Sequence, residues 1–375
     1  MGREVKLLLG SSGRQLGTRI VAYLDRNLNK QLTLLDEDTY ARANMEVRRF
    51  SNDNIFVRLI DSVREADVFI LQSSGTPVND RLVELLITID ACRRSSAGCI
   101  NVILPYFPYS RSDKVDQPRV AITARLVADL IQTAGADRVI TMDLHADQIQ
   151  GFFSIAVDHL KATTPLASYV EEHFIQESDP LKRRQQWVVI APDAGAAKRA
   201  QDFARRLDLD LAVLLKQRPG NDDISEVLHV MGDVRGRNCL IFDDEIDTGG
   251  TLVNCINTLV KEHGVQEAYA VVTHGVFSGQ GMRTVNEAVN LKGVVVTDTL
   301  DVAPIGTMHT MRYRQGERII EEEVLNQKVH VCSVADLFAA TIRAVHLGES
   351  VSKVYEEWNI GHQKAYTLDA GVDEG

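Results

Sequence analysis

IFDDEIDTGGT, Ile241 to Thr251, is the stretch whose reading sets the fold of this chain. A short apolar run, Cys239, Leu240, Ile241 and Phe242, meets two adjacent acids, Asp243 and Asp244. A third acid, Asp247, stands before Thr248, Gly249, Gly250 and Thr251. A helical pattern then opens, with Leu252, Ile256, Leu259 and Val260 on one face and Gly264 as a stop. The pattern predicts strand, tight loop, helix. Gly249 and Gly250 let backbone N–H groups approach an anion closely, and a helix N-terminus favours negative charge. Thr248 and Thr251 add hydroxyl donors. The acids repel a phosphate but accept hydrogen bonds from sugar hydroxyls. Together these groups suit a phosphorylated sugar with free hydroxyls. No Gly-Lys-Ser/Thr follows, which excludes a Walker loop.

Outward from this stretch, apolar runs alternate with amphipathic segments. Strands are expected at 5–9, 68–72, 101–104, 139–143, 188–191, 211–215, 238–242, 268–273, 294–296 and 329–332. Helices fit between most of them. In 80–95, Leu82, Leu85, Leu86 and Ile89 share a face, and 122–134 is followed by Gly135 as a stop. Buried parallel strands with crossover helices are the expected outcome, an α/β fold. The polar stretch 175–186, with the segment before it, is the best boundary candidate, so two successive α/β halves are expected.

Composition narrows the function. A length of 375 residues favours two domains, and a 45% hydrophobic share is ample for large cores. The net charge of -11 argues against nucleic acid or an anionic membrane surface as partner. The five cysteines form no close pair and no zinc spacing, as expected of buried free thiols in a reducing cytosol. No signal-peptide pattern opens the chain and no apolar run reaches membrane-spanning length, so a cytoplasmic protein is expected.

Further segments carry chemistry. TMDLHADQIQGFF (141–153) leaves a strand with Asp143, His145 and Asp147 at alternate positions. Ligands collect at the C-terminal edge of such strands, and these side chains suit a divalent ion that also binds phosphate oxygens. In APDAGAAKRA (191–200), Asp193 is either a metal ligand or an N-cap, and Gly195 opens a helix carrying Lys198 and Arg199. LLKQRPGNDD (214–223) puts Lys216 and Arg218 at a strand end before a Pro-Gly loop. Cations on a closing loop neutralise charge that builds during diphosphoryl transfer. PYFPYSRSDKVDQPR (105–119) offers two tyrosines, Phe107 and Arg111 for stacking on a base. RRFSNDN (48–54) offers Phe50 for stacking, with Asn52 and Asn54 for base-edge hydrogen bonds.

These blocks, with NDRLVELL (79–86), THGVFSG (273–279), VVVTDT (294–299) and LGESVS (347–352), resemble the ribose-phosphate diphosphokinases (PRPP synthetases) in the family's order over about 5–355. The resemblance implies two successive phosphoribosyltransferase-type (type I) domains, each a mostly parallel sheet flanked by helices. It divides the chain into 1–165, 166–345 and a C-terminal segment, 346–375. It implies Mg²⁺-dependent transfer of the β,γ-diphosphoryl group of ATP to the anomeric hydroxyl of ribose 5-phosphate. By matching position, Asp243, Asp244, Asp247, Thr248, Gly249, Gly250 and Thr251 hold or support ribose 5-phosphate. Lys216 and Arg218 match the catalytic basic loop. His145, Asp193 and Asp143 match metal-linked positions. Phe50, Asn52, Asn54, Arg111 and Ser112 match the nucleotide site. The family's nucleotide site draws on a neighbouring subunit, which implies a homo-oligomer, commonly a hexamer built from dimers.

Departures from the family pattern also carry expectations. Asn52 and Asn54 replace carboxylates, and Ser112 replaces a usual glutamine, which bears on nucleotide preference. Glu245 adds a fourth acid, from which a stronger dependence on Mg²⁺ is expected. Extra residues at 303–327 suit a surface hairpin or an oligomer contact, and a polar tail follows Glu356. Two alternatives are a catalytically silent regulatory relative and a synthetase with another donor. The intact Lys216, Arg218 and DTGGT favour activity.

Overall fold

A computed structural model of the chain describes residues 3–27, 45–217, 227–315 and 318–353. By internal contact the chain falls into two units. The first holds the described residues up to Lys161, the segment Asp298–Asp301 and those from Ser333 onward; the second holds Ala162–Thr297 and Val302–Cys332.

The first unit is built on strands β1 (Val5–Leu9), β4 (Asp67–Leu71), β5 (Cys99–Leu104), β6 (Arg138–Met142) and β7 (Ala156–Leu160). They lie in the order β1-β4-β5-β6-β7, every neighbouring pair parallel. Parallel neighbours require crossovers, and the helices Val78–Arg94 and Thr123–Ala134 supply two of them. Leu82, Leu85, Ile89, Val127 and Ile131 from these helices pack with Val68, Ile70, Val102 and Val139 in one core. The second of the two helices ends on Gly135 at φ +115°, a conformation open to glycine at little cost.

The helix Arg14–Asn27 packs on Ala335–Leu347, from the far end of the chain. That return is tied to the segment Asp298–Asp301. Asp298 accepts from Val334 N at 2.8 Å, Ser333 Oγ at 2.6 Å and Arg19 Nη1 at 2.7 Å. Gly13 N donates to Asp301 Oδ2 at 3.1 Å, and Ser73 Oγ donates to the Thr299 carbonyl. The sequence division at 165/166 and 345/346 is linear, whereas these two units interleave.

The second unit carries β8 (Trp187–Ala191), β9 (Asp210–Gln217), β10 (Val227–Met231), β11 (Asn238–Ile246), β12 (Ala268–Gly275), β13 (Leu291–Thr297) and β16 (Val329–Cys332). Their order is β10-β9-β8-β11-β12-β13-β16, parallel except for the β9–β10 pair. The order reverses between β8 and β11, a switch point where loops diverge and leave a crevice. The helix Gly250–His263 closes on Gly264 at φ +71°, the stop read from the sequence. The polar stretch 175–186 lies inside this unit. Its helix Pro180–Gln186 is capped by Asp179, whose Oδ1 accepts from Leu181 N at 2.9 Å.

Every strand expected from the sequence is present within a few residues. The strands not foreseen share a cause. β2 (Met45–Arg49) and β3 (Ile55–Leu59) form a separate two-stranded ribbon with charged, half-buried residues. β7 and β10 are edge strands, so neither presents a fully buried apolar run. The extra segment near 303–327 is a hairpin of β14 (Met308–Gln315) and β15 (Arg318–Leu325), one of the two forms expected for it. Met311, Tyr313 and Val324 turn toward the core, while Met308, Ile319 and Leu325 are exposed. The tail beyond Lys353 lies outside the described residues. Four of the five cysteines are buried and all are free. Burial pushes the Cys92 thiol up to about 12 and raises Cys239 further. Among the described residues no helix is long and apolar enough to cross a membrane.

Candidate active site

In the second unit the loops after β8 and β11 flank the switch point. β11 runs longer than the apolar stretch alone suggests, through Ile246, and carries the acids on its last turns of pleat. Side chains two apart on a strand share a face about 6.6 Å apart, nearly matching about 6 Å for four residues of helix. Phe242 stacks on Phe203 of the helix Ala197–Arg206, ring centroids 4.3 Å apart. Two residues on, Asp244 therefore meets Arg199, four residues before Phe203. Arg199 Nη2 donates to Asp244 Oδ1 at 3.1 Å and lies 3.8 Å from Asp243 Oδ1. Asp244 N also donates to Asp243 Oδ1 at 2.9 Å.

Burial and the neighbouring Asp244 push the Asp243 carboxyl up to about 8, while Arg199 pulls it down. Its side chain is 33% exposed, so water moderates the effect. Glu245, like Asp243 and Asp244, sits within β11; it is 8% exposed and opposite His274 of β12.

The turn itself is backbone-defined. Gly249 has φ +76°, and a Cβ there would come within 3.4 Å of Val285. A side chain on Gly281 would strike the Asp247 carbonyl at 2.6 Å, so the helix Gly281–Glu287 packs directly behind the loop. A Cβ on Gly250 would meet nothing within 4 Å, leaving the helix N-terminus open on that side. Thr248 is exposed, and Asp247, Gly250 and Thr251 range from half-buried to exposed. This is a geometry for an anion against N–H groups, with carboxylates beside it for hydroxyls.

Asp193 closes the turn that leads into the helix Ala197–Arg206: its Oδ1 accepts from Ala196 N, the N-cap residue, at 2.9 Å. That bond uses one carboxylate oxygen of two. Lys216 lies on β9, its backbone paired with Leu228 of β10, and Arg218 falls outside the described residues.

In the first unit, the strand ends at Met142, and Asp143 turns out of it at φ +36° while 5% exposed. His145 is half-buried and Asp147 opens the short 3₁₀ turn Asp147–Phe152. Two residues not singled out from the sequence complete the group, both from the end of β7. Lys161 Nζ lies 2.8 Å from Asp147 Oδ1 and 3.8 Å from Asp143 Oδ1. His159 Nε2 accepts from Leu144 N at 2.9 Å, and its Nδ1 lies 3.6 Å from Asp147. The signal was the alternation in Asp158-His159-Leu160-Lys161 next to the DLHAD stretch. Among the described residues no three His, Cys, Asp or Glu side chains converge to hold an ion. Mg²⁺ needs only one or two carboxylates beside waters and substrate phosphates, and the oxygens of Asp143 and Asp147 fit that demand.

The two loops that carry the nucleotide candidates are each tied to the same helix start by a flanking residue. Phe50 to Asn54 form the turn between β2 and β3, where Asn52 Oδ1 accepts from Asn54 N at 3.3 Å. Phe50 is 46% exposed, edge-on to Phe56, with the Arg48 guanidinium 4.5 Å from the Phe56 ring. Arg49 Nη2 reaches Asp80 at 2.5 Å, and Tyr109 OH donates to Asn79, so both loops are tethered to the start of Val78–Arg94. Arg111 is exposed, and the Ser112 carbonyl accepts from Ala124 N at 3.1 Å. Phe107 is not available for stacking on a base: it is 2% exposed and packs edge-on to Phe153.

Residues 5–135 match the N-terminal domain of ribose phosphate pyrophosphokinase, and 156–302 match the phosphoribosyl transferase domain. A ribose-phosphate pyrophosphokinase of Clostridium tetani is 42% identical over 83% of this chain and 89% of its own length. One from Caldanaerobacter subterraneus is 41% identical over 94% and 98%. The crystal structure of phosphoribosylpyrophosphate synthetase from Mycobacterium smegmatis superposes with TM-score 0.74 at 36% identity, covering 92% of this chain and all of that one.

Proposed function

This chain belongs to the ribose-phosphate pyrophosphokinase family, and we propose the following division of labour for its reaction. It is a diphosphotransferase of nucleotide biosynthesis: ATP and ribose 5-phosphate give 5-phospho-α-D-ribose 1-diphosphate and AMP. The observation that carries the reading is the loop Asp247–Gly250 at the switch point, with backbone N–H groups open on one side and the acid pair on the other.

The 5-phosphate binds at the N-terminus of Gly250–His263, with Thr248 and Thr251 as hydroxyl donors. Asp243, Asp244 and Asp247 accept from the ribose hydroxyls and orient the sugar. Its anomeric oxygen attacks the β-phosphorus of ATP, the bond to the α-phosphate oxygen breaks, and AMP leaves. Negative charge that grows on the transferring group is met by Lys216 and Arg218. Phe50, Asn52, Asn54, Arg111 and Ser112 bind the nucleotide. Mg²⁺, when bound, would neutralise phosphate charge; Asp143 and His145 in the first unit and, separately, Asp193 in the second through its second oxygen are the residues that would hold it. The turn bond engages the Asn52 amide oxygen, so Asn52 offers a base mainly its N–H donors. The protein works as a homo-oligomer, a hexamer built from dimers, in the cytoplasm, a compartment that the free thiols support.

The test is product analysis by phosphorus NMR, with ribose 5-phosphate, Mg²⁺ and ATP, dATP, GTP, CTP or UTP. A diphosphorylated sugar plus AMP, with ATP well ahead, is expected. A preference for another donor would move the nucleotide assignment alone. Folded protein that binds ribose 5-phosphate yet forms no product with any donor would favour a regulatory relative.

A further inference from the structure

The acid pair beside the sugar loop has a partner that lies outside the loop motif. Arg199 reaches from the helix after β8 to the end of β11, 3.1 Å from Asp244 and 3.8 Å from Asp243. Asp244 is 5% exposed. Two neighbouring carboxylates, one of them buried, resist ionising together unless a cation offsets their charge. A guanidinium is always charged and presents its donors in a fixed plane. Its helix is held at both levels, by Asp193 closing the turn before it and by Phe203 stacked on Phe242. Arg199 is therefore delivered to the acids by rigid elements rather than by a mobile loop.

Resting on the sugar-phosphate reading of this loop, we propose that Arg199 is a positioning residue for ribose 5-phosphate: it offsets the charge of Asp244 and holds the acid pair aimed at the sugar hydroxyls. It touches the acids and acts through them. Without it the buried Asp244 loses its counter-charge and its aim, and it no longer serves the sugar hydroxyls as a fixed charged acceptor. Sugar binding then weakens, while the nucleotide and the cations of the basic loop are untouched.

The experiment uses the full-length protein and the variants R199M, R199Q and R199K. Steady-state kinetics with each substrate varied are combined with calorimetric titration of ribose 5-phosphate alone. For R199M, KM and Kd for ribose 5-phosphate should rise about tenfold or more, the scale of a lost charged hydrogen bond. KM for ATP should stay within about twofold, and R199K should recover most of the loss. Circular dichroism checks the fold, and R199Q is read in the same way if R199M does not fold. Unchanged affinity for ribose 5-phosphate would overturn the proposal. So would an equal rise in both Michaelis constants with no rescue by R199K. Wild-type protein that binds no ribose 5-phosphate would instead overturn the reading on which the proposal rests.

Discussion

The sugar loop of the second unit and the Asp143 group of the first occupy similar places, each at the C-terminal end of an interior parallel strand. They are made in different ways. The loop is one unbroken stretch, and its decisive groups are backbone N–H groups placed by Gly249 at φ +76°. The Asp143 group is assembled from two strands, Asp143 and Asp147 after β6, His159 and Lys161 at the end of β7. It exists only because β6 and β7 pair in the register Met142↔Leu160. A site written in backbone conformation is specified locally; a site of side chains from neighbouring strands is specified by pairing. The first should therefore fail through its own residues, the second through partners distant in sequence.

The largest effect should come from Lys216, which we propose serves the chemical step rather than either binding site. Lys216→Ala should lower kcat by about a hundredfold or more, with both Michaelis constants changed little. Near-normal turnover would remove Lys216 from the chemistry. Next comes the loop. Asp247→Ala should weaken ribose 5-phosphate by about ten- to a hundredfold in calorimetry while ATP binding is unaffected. An unchanged Kd would mean that the loop is not the sugar site.

The pairing-defined group is probed through Lys161. Its ammonium stands beside Asp147 and Asp143, where it opposes a second cation. Lys161→Met should lower the Mg²⁺ concentration for half-maximal rate by a few-fold, with ribose 5-phosphate affinity unchanged. A higher Mg²⁺ requirement would place the ion away from Asp143. The smallest effect concerns stability. Asp243 binds its proton more tightly folded than unfolded, since burial and Asp244 raise its pKa to about 8. Its contribution is complete at acid pH and is lost as pH rises from the ordinary carboxylate range through about 8. Asp243→Asn removes that loss. The Tm of the variant relative to wild type should increase from about pH 5 to about pH 8, by a few degrees at most. A difference that is flat or that falls would show that Asp243 ionises normally.

The same contrast explains what was legible in the sequence. The apolar runs that became β1, β4, β5, β8 and β11 are buried on both faces and stand out without a partner. The DTGGT turn was legible because glycine at a positive φ and a helix start are local properties. Arg199 was seen only as a helical residue, because its meeting with Asp244 depends on how far that helix lies along β11. Lys161 was harder to read, because the edge strand that ends just before it has no apolar signature and only its spacing from His159 points to it. Asp193 was open between cap and ligand, because one carboxylate oxygen can close the turn before the helix, as Oδ1 does with Ala196 N, while the other can serve an ion. Phe107 was offered to a base, but the core takes it, since nothing in PYFPY distinguishes an inward ring from an outward one. The ribbon carrying Phe50 was not foreseen because its strands are short and charged, although the turn between them had been singled out as a nucleotide candidate.

The central claim is that the sugar held by the Asp247–Gly250 loop receives two phosphates in one step. Its most direct test is a single-turnover reaction of ATP carrying a radioactive β-phosphate with ribose 5-phosphate. The label should appear in the sugar, one for each AMP released. Label retained in ADP, or no transfer by folded protein that binds both substrates, would contradict it.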